Sequence, residues 1–196
     1  MKAASAHVNA YRVETEVTTY RRGRVDGRQR FIYTFEKPGR IRIDMEFPHP
    51  GMVMIYPDAQ GKVLVRPGGW ASFLNFHLSP DSRLLANAAG QRIDQTDFGL
   101  LIRNIAHSLT DQRRGPPRLT TEDGKWVLEV LAEDHFRQGV LTRYRFTIDQ
   151  ATDLPASVQE STPEGKMERA VTFRHLATSP HLPENWFKDP GLEGNP

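Results

Sequence analysis

Histidines, serines and carboxylates are the residues with which a chain of this kind could do chemistry. The sequence has seven histidines, at positions 7, 49, 77, 107, 135, 175 and 181. A zinc or acid–base site on a helix needs two of them four residues apart, with a carboxylate between or nearby. No H-x-x-x-H or H-E-x-x-H spacing occurs, and the carboxylate closest to a histidine, Asp134 beside His135, is a sequence neighbour rather than a helical partner. Serine nucleophiles in a strained strand-to-helix turn carry G-x-S-x-G. Ser72, Ser79, Ser108 and Ser157 lie in no such motif, and Glu133-Asp134 reads as a solvated turn between strands. Neither G-x-x-x-x-G-K nor G-x-G-x-x-G is present, so no phosphate cradle is expected. With no cysteine in the chain, thiolate catalysis, thiolate metal ligation and disulfides are excluded. The residues thus point to no catalytic group, no metal and no cofactor.

Apolar spacing is the stronger signal. Between Arg40 and Phe47 polar and apolar residues alternate strictly, with Ile41, Ile43, Met45 and Phe47 on one side and Arg40, Arg42, Asp44 and Glu46 on the other. This is the pattern of a strand with one dry and one wet face. After the break at Pro48-His49-Pro50-Gly51, the run Met52–Tyr56 is apolar throughout. Methionine is flexible and polarizable, so Met45, Met52 and Met54 could follow the irregular outline of an apolar ligand. The stretch WASFLNF, 70–76, carries three aromatics in seven residues after Gly68-Gly69. Its Trp70, Phe73, Leu74 and Phe76 are read as a movable lip with the glycine pair as hinge.

These residues need a β scaffold. Strands are expected over Tyr11–Tyr20, Arg30–Phe35, Arg40–Phe47, Met52–Tyr56 and Lys62–Arg66, joined by short turns that include GRVDGR at 23–28. A short helix capped by Ser79 and Pro80 is expected over 79–88. A longer one spans 96–110, with Thr96 as N-cap and Phe98, Leu101, Ile102, Ile105 and Leu109 on one face; Ser108 is placed on its polar side. Strands then return over Trp126–Leu131, Val140–Asp149, Leu154–Glu160 and Met167–His175, and a proline-rich tail is expected to run extended. About nine hairpin-linked strands and one strong helix make a mainly β (α+β) chain. A strongly curved antiparallel sheet wrapped around that helix would satisfy every apolar face.

Charge is nearly balanced at +2 over 196 residues, but unevenly placed. From Arg12 to Arg42 eight Arg and Lys37 face only Glu14, Glu16, Asp26 and Glu36, so this end could meet anionic surfaces. Nucleic acid is not expected as a partner, since acids interrupt the basic runs 20–24 and 28–31 and the whole chain is close to neutral. No stretch is long enough to span a bilayer. MKAASAHVNA lacks the apolar core of a signal peptide.

Several motifs in this order resemble the LolA/LolB-like superfamily of periplasmic lipoprotein-sorting and lipid-binding proteins. They are Lys37-Pro38 followed by Ile41-Arg42-Ile43, then Gly61-Lys62-Val63, then GVLTRYRFTIDQATDLPASVQ at 139–159, and the closing ENWFKDP at 184–190. The likeness runs from about Tyr11 to Pro190. It implies a single domain over 1–196, an unclosed β-barrel lidded by helices, and an apolar cavity that binds lipid or lipoprotein acyl chains without catalysis. Ile41, Ile43, Met45, Met52, Met54, Leu64, Phe98, Ile102 and Ile105 are the expected lining. Lys37 stands where LolA has a lid-holding arginine and is the latch candidate, although an ammonium cannot reproduce the planar fork. Residues 1–10 are expected to be the remnant of a longer first helix, and 191–196 an unstructured tail. The resemblance further implies a monomer in the periplasm, made with a signal sequence upstream of residue 1 and anchored to a membrane if that leader ends in a lipidated cysteine. Membrane-bound donor and acceptor proteins would be its partners. The alternative within the same fold is an envelope sensor or scaffold that binds a protein.

Overall fold

A computed structural model of the chain describes residues 1–82, 85, 92–110 and 115–192. Among these, eleven strands form one sheet in the order β6-β5-β4-β3-β2-β1-β11-β10-β9-β8-β7. The strands are β1 (Ala10–Arg21), β2 (Arg24–Glu36), β3 (Arg40–Phe47), β4 (Val53–Tyr56), β5 (Val63–Arg66), β6 (Phe76–Leu78), β7 (Arg118–Glu122), β8 (Lys125–Glu133), β9 (Leu141–Asp149), β10 (Pro155–Ser161) and β11 (Met167–Thr178). Two α-helices, α1 (Lys2–His7) and α2 (Phe98–Ser108), and two single 3₁₀ turns complete the described elements. The sheet is not closed, because β6 and β7 stand at opposite ends of the strand order. A mainly β chain with an unclosed antiparallel sheet and few helices is the class expected from the alternating runs.

The sequence reading differs at several boundaries. β6 and β7 were not expected: β6 has three residues, and Arg118-Leu119-Thr120-Thr121-Glu122 carries too few apolar residues to show a period. The first hairpin turns at Arg22-Gly23, with φ of 52° and 75°, rather than within GRVDGR. Positive φ at both central residues suits the right-handed twist of a two-residue hairpin. Gly27, read as a turn glycine, lies inside β2, where a Cβ would come within 2.9 Å of Thr19 Oγ1. Helix α2 starts later than expected: Asp97, not Thr96, is its N-cap and accepts the Leu100 amide at 3.0 Å. The tail folds into turns instead of running extended, with Trp186 N bonded to Pro183 O and Asp189 N to Asn185 O. Of the helix expected over 79–88, residues 83, 84 and 86–88 lie outside the described residues.

The chain forms two compact units. One comprises 1–7, 17–28 and 96–173; the other comprises 8–16, 29–95 and 174–196. In the first unit, register puts Leu128, Val130 and Ala132 of β8 opposite Phe146, Tyr144 and Thr142 of β9, and Val158 opposite both Phe146 and Val171. Cross-strand partners share a face, so these residues form one layer. Helix α2 joins that layer through an edge-to-face contact of Phe98 on Phe173, centroids 4.9 Å apart, and through Ser108 on His135.

In the second unit the meander β2–β6 has two distinct faces. Phe31, Tyr33 and Phe35 lie opposite Met45, Ile43 and Ile41; Ile43 lies opposite Met54, and Met54 opposite Val65. The other face carries Arg42, Asp44, Val53, Ile55 and Leu64. There the tail closes over the sheet, with Trp186 and Phe187 packed on Val53, Ile55 and Leu64 and flanked by Leu182 and Leu192.

Candidate ligand-binding face

Five of the expected lining residues are brought together on one side of β3–β4. Ile41, Ile43 and Met45 are buried, and Met52 and Met54 are half-buried. Met45 N donates to Met52 O at 2.8 Å, which continues the ladder that pairs Ile43 with Met54. Toward β2 the same face runs on through Tyr33 and Phe35, each stacked on Tyr11 at 5.9 and 5.3 Å. Leu64 does not belong to this group. It lies opposite Ile55, one position out of phase with Val65, and so looks to the face covered by the tail. In a strand a shift of one residue exchanges the faces; Val65 is the β5 residue that joins Met54. Phe98, Ile102 and Ile105 are all buried on α2, in the other unit.

The residues of the expected lip are all exposed, Trp70 by 87% and Phe73 by 73%, with Leu74 and Phe76 less so. Phe76 opens β6 opposite Val65, and this register carries it onto the side of Met54 and Ile43. The methionine face and the aromatic segment therefore meet at one sheet end. The two glycines before the segment differ. Gly69 has φ of 65° with open space around it. Gly68 is packed: a Cβ there would lie 2.0 Å from Pro50 O and 2.9 Å from Gly51 C. Only Gly69 has the surroundings of a hinge; Gly68 pins the segment to the β3–β4 turn, beside an exposed Phe47. Lys37 sits exposed in the β2–β3 turn, its backbone amide bonded to Asn9 O at 2.8 Å.

Sequence reasoning missed Arg42, which it placed on a wet face. Its side chain is 1% exposed. Nε and Nη2 form a fork on the Asp44 carboxylate at 2.8–3.0 Å, Nη1 donates to Trp186 O and Asp189 O at 3.0 and 2.9 Å, and Nη2 also donates to Leu192 O. The guanidinium plane lies 4.1 Å from the Trp186 ring centroid. Five donors in a rigid plane suit this set of acceptors. The adjacent Trp186-Phe187 pair was the available signal, since two large rings in a tail must find an apolar surface.

Ser108 and His135 look superficially like a catalytic pair, with Oγ and Nε2 2.8 Å apart. The Ser108 hydroxyl also lies 3.1 Å from Asn104 O, the carbonyl one turn earlier in its own helix, so it has a structural partner within α2. Burial holds the His135 imidazole below its ordinary range, and Tyr144 stacks on it at 4.6 Å. Asp134 does not orient the histidine. Burial opposes its ionisation, but bonds from Arg137, the Phe136 amide and Thr142 prevail and keep its carboxyl below the usual range. Burial raises Glu160, which is paired with Arg169 at 2.9 Å. Among the described residues no group of three or more His, Asp or Glu could hold a metal ion.

No protein-family model matches the sequence, and no curated protein matches it. Solved structures do. An uncharacterized conserved protein from Thermus thermophilus is similar with a TM-score of 0.54 at 9% identity, over 96% of this chain and 89% of that one. MucB is similar with a TM-score of 0.52 at 16% identity, over 96% of this chain and 60% of that of MucB. A LolA superfamily protein from Nitrosomonas europaea aligns over 97% of this chain and 96% of its own, at 12% identity and a TM-score of 0.44. At these identities the likeness to the first two structures is one of fold.

Proposed function

We propose that the chain is a non-enzymatic binding protein of the cell envelope, which takes up lipid or lipoprotein acyl chains on the methionine-bearing face of β3–β5. The observation that carries this reading is the shared side of Met54, Val65 and Phe76, which joins an adaptable apolar surface to four exposed apolar residues at its end. An exposed apolar cluster of this kind marks a binding site more often than a plain connection. A buried methylene contributes about 0.8 kcal/mol, so a long chain held along its whole length would be released slowly. A face that is partly open, with half-buried methionines, favours exchange. Trp70–Phe76 moves over the ligand about Gly69. The fold shared with MucB and LolA-like proteins supports residence in the periplasm after export.

Native mass spectrometry of protein purified from its own cells tests this. A carrier shows a mass excess that organic extraction removes and identifies as lipid. The second reading, a sensor or scaffold for a protein, is favoured by the likeness to MucB, which has been crystallised with MucA. It predicts a lipid-free protein that co-purifies with a polypeptide.

A further inference from the structure

The first hairpin carries a feature that uptake of an apolar ligand does not use. Residues 20–28, YRRGRVDGR, contain four arginines and one aspartate, a local net charge of +3 in a chain whose total is +2. The cationic character of the whole molecule is concentrated here. The two-residue turn Arg22-Gly23 is flanked by Arg21 and Arg24, and every residue from Arg21 to Asp26 is exposed. Asp26 pairs with Arg21 at 3.4 Å. Arg22, Arg24 and Arg28 are exposed and form no ion pair among the described residues. Strand alternation puts Arg24, Asp26 and Arg28 on one side of β2 and Val25, 47% exposed, on the other.

We propose that this hairpin tip docks the protein on an anionic phospholipid surface. Three unengaged guanidinium groups present planar donor forks that match phosphate oxygens. Basic residues close to an anionic bilayer each add about 1 kcal/mol of attraction, and the effect ends within a Debye length. Val25, exposed on the opposite side of β2 from Arg24 and Arg28, adds an aliphatic group to the tip. A single-stranded nucleic acid would ask instead for exposed rings to stack on, and the nearest rings, Tyr20 and Phe31, are half-buried. The docking surface does not depend on the acyl-binding reading and is tested apart from it.

The test is co-sedimentation of the full chain with vesicles of phosphatidylglycerol and phosphatidylcholine, against vesicles of phosphatidylcholine alone. Binding is expected only to the anionic vesicles and should vanish at about 1 M salt, where charges are screened beyond roughly 3 Å. The combined variant Arg22→Gln, Arg24→Gln, Arg28→Gln should lower the partition coefficient on the order of 100-fold, or about fivefold per arginine. The corresponding triple Arg→Lys variant should bind almost as the parent does. All three positions are exposed, and circular dichroism verifies the fold of each variant. Uptake of a fluorescent fatty acid by the Gln variant should equal that of the parent, so that loss of docking is distinguished from loss of ligand binding. Undiminished vesicle binding by the Gln variant overturns the proposal, as does equal binding to both vesicle types. Tighter binding to a single-stranded oligonucleotide than to anionic vesicles, abolished by the same substitutions, also overturns it.

Discussion

Strands β3, β4 and β5 have two apolar faces that are finished in opposite ways. One carries Val53, Ile55 and Leu64 and is closed by the chain itself, with Trp186, Phe187 and the Arg42 fork as the seal. Its side chains are β-branched or leucine, and the charged groups at its rim have fixed partners. The other carries Ile41, Ile43, Met45, Met52 and Met54 and grades from buried isoleucine to half-buried methionine and then to exposed rings. Stiff residues stand where the partner is permanent, and adaptable ones where it would come and go. The same backbone thus supplies a structural face and the proposed binding face, separated by a single position in register.

The largest expected effect tests the seal. Arg42→Ala leaves Asp44 and three backbone carbonyls without their donor, and loss of one member of such a buried set costs about 3–5 kcal/mol. The urea midpoint should fall accordingly. Arg42→Lys should recover only part of the loss, because one ammonium cannot span the same acceptors. Next, Leu64→Ala should cost about 2–4 kcal/mol and leave fatty-acid uptake unchanged; lowered uptake by a folded Leu64→Ala protein would merge the two faces into one. Met54→Trp should do the converse, reducing probe uptake severalfold at a stability cost of about 1 kcal/mol. Trp70→Ala should change stability by no more than about 0.5 kcal/mol, as surface substitutions do, while weakening uptake. In the parent, Trp70 emission should move to shorter wavelength when lipid is added.

The smallest effect separates both faces from the other unit. His135 is held neutral by burial, below its ordinary value of 6.5. Between that value and the lower one of the folded state, the unfolded chain binds more protons. Stability therefore falls as pH drops through 6.5. His135→Gln should flatten this part of the profile; an unchanged slope in the variant would place the titrating group elsewhere.

How much of this was legible in the sequence follows from the kind of signal each part emits. β3 could be bounded to the residue because eight positions alternate without exception. The apolar stripe of α2 was visible in Phe98, Ile102 and Ile105, but Ser108, on the same buried side, was not: a small hydroxyl reads as polar until its partner His135 is known. Alternation also shows that a strand has two faces without showing what covers each. Arg42 therefore looked solvated, since the backbone carbonyls that bury it lie 144 to 150 residues further on. Leu64 was assigned by apolarity alone, in a strand where Val63, Leu64 and Val65 are all buried and only register can tell the faces apart. The lip was legible as composition; its anchored base was not, because two adjacent glycines look alike in a string of letters.

That anchored base has a consequence for how the gene can vary. Position 68 leaves no room for a β-carbon against the carbonyl of Pro50, whereas position 69 is crowded by nothing and is restricted only by its backbone angle. In a saturation library selected for folded protein, position 68 should return glycine alone. Position 69 should admit asparagine and aspartate as well, the residues that best tolerate a left-handed backbone. Two identical neighbours would thus leave quite different records of substitution, and comparison of their tolerance profiles would locate the fixed edge of the aromatic segment without a ligand in hand.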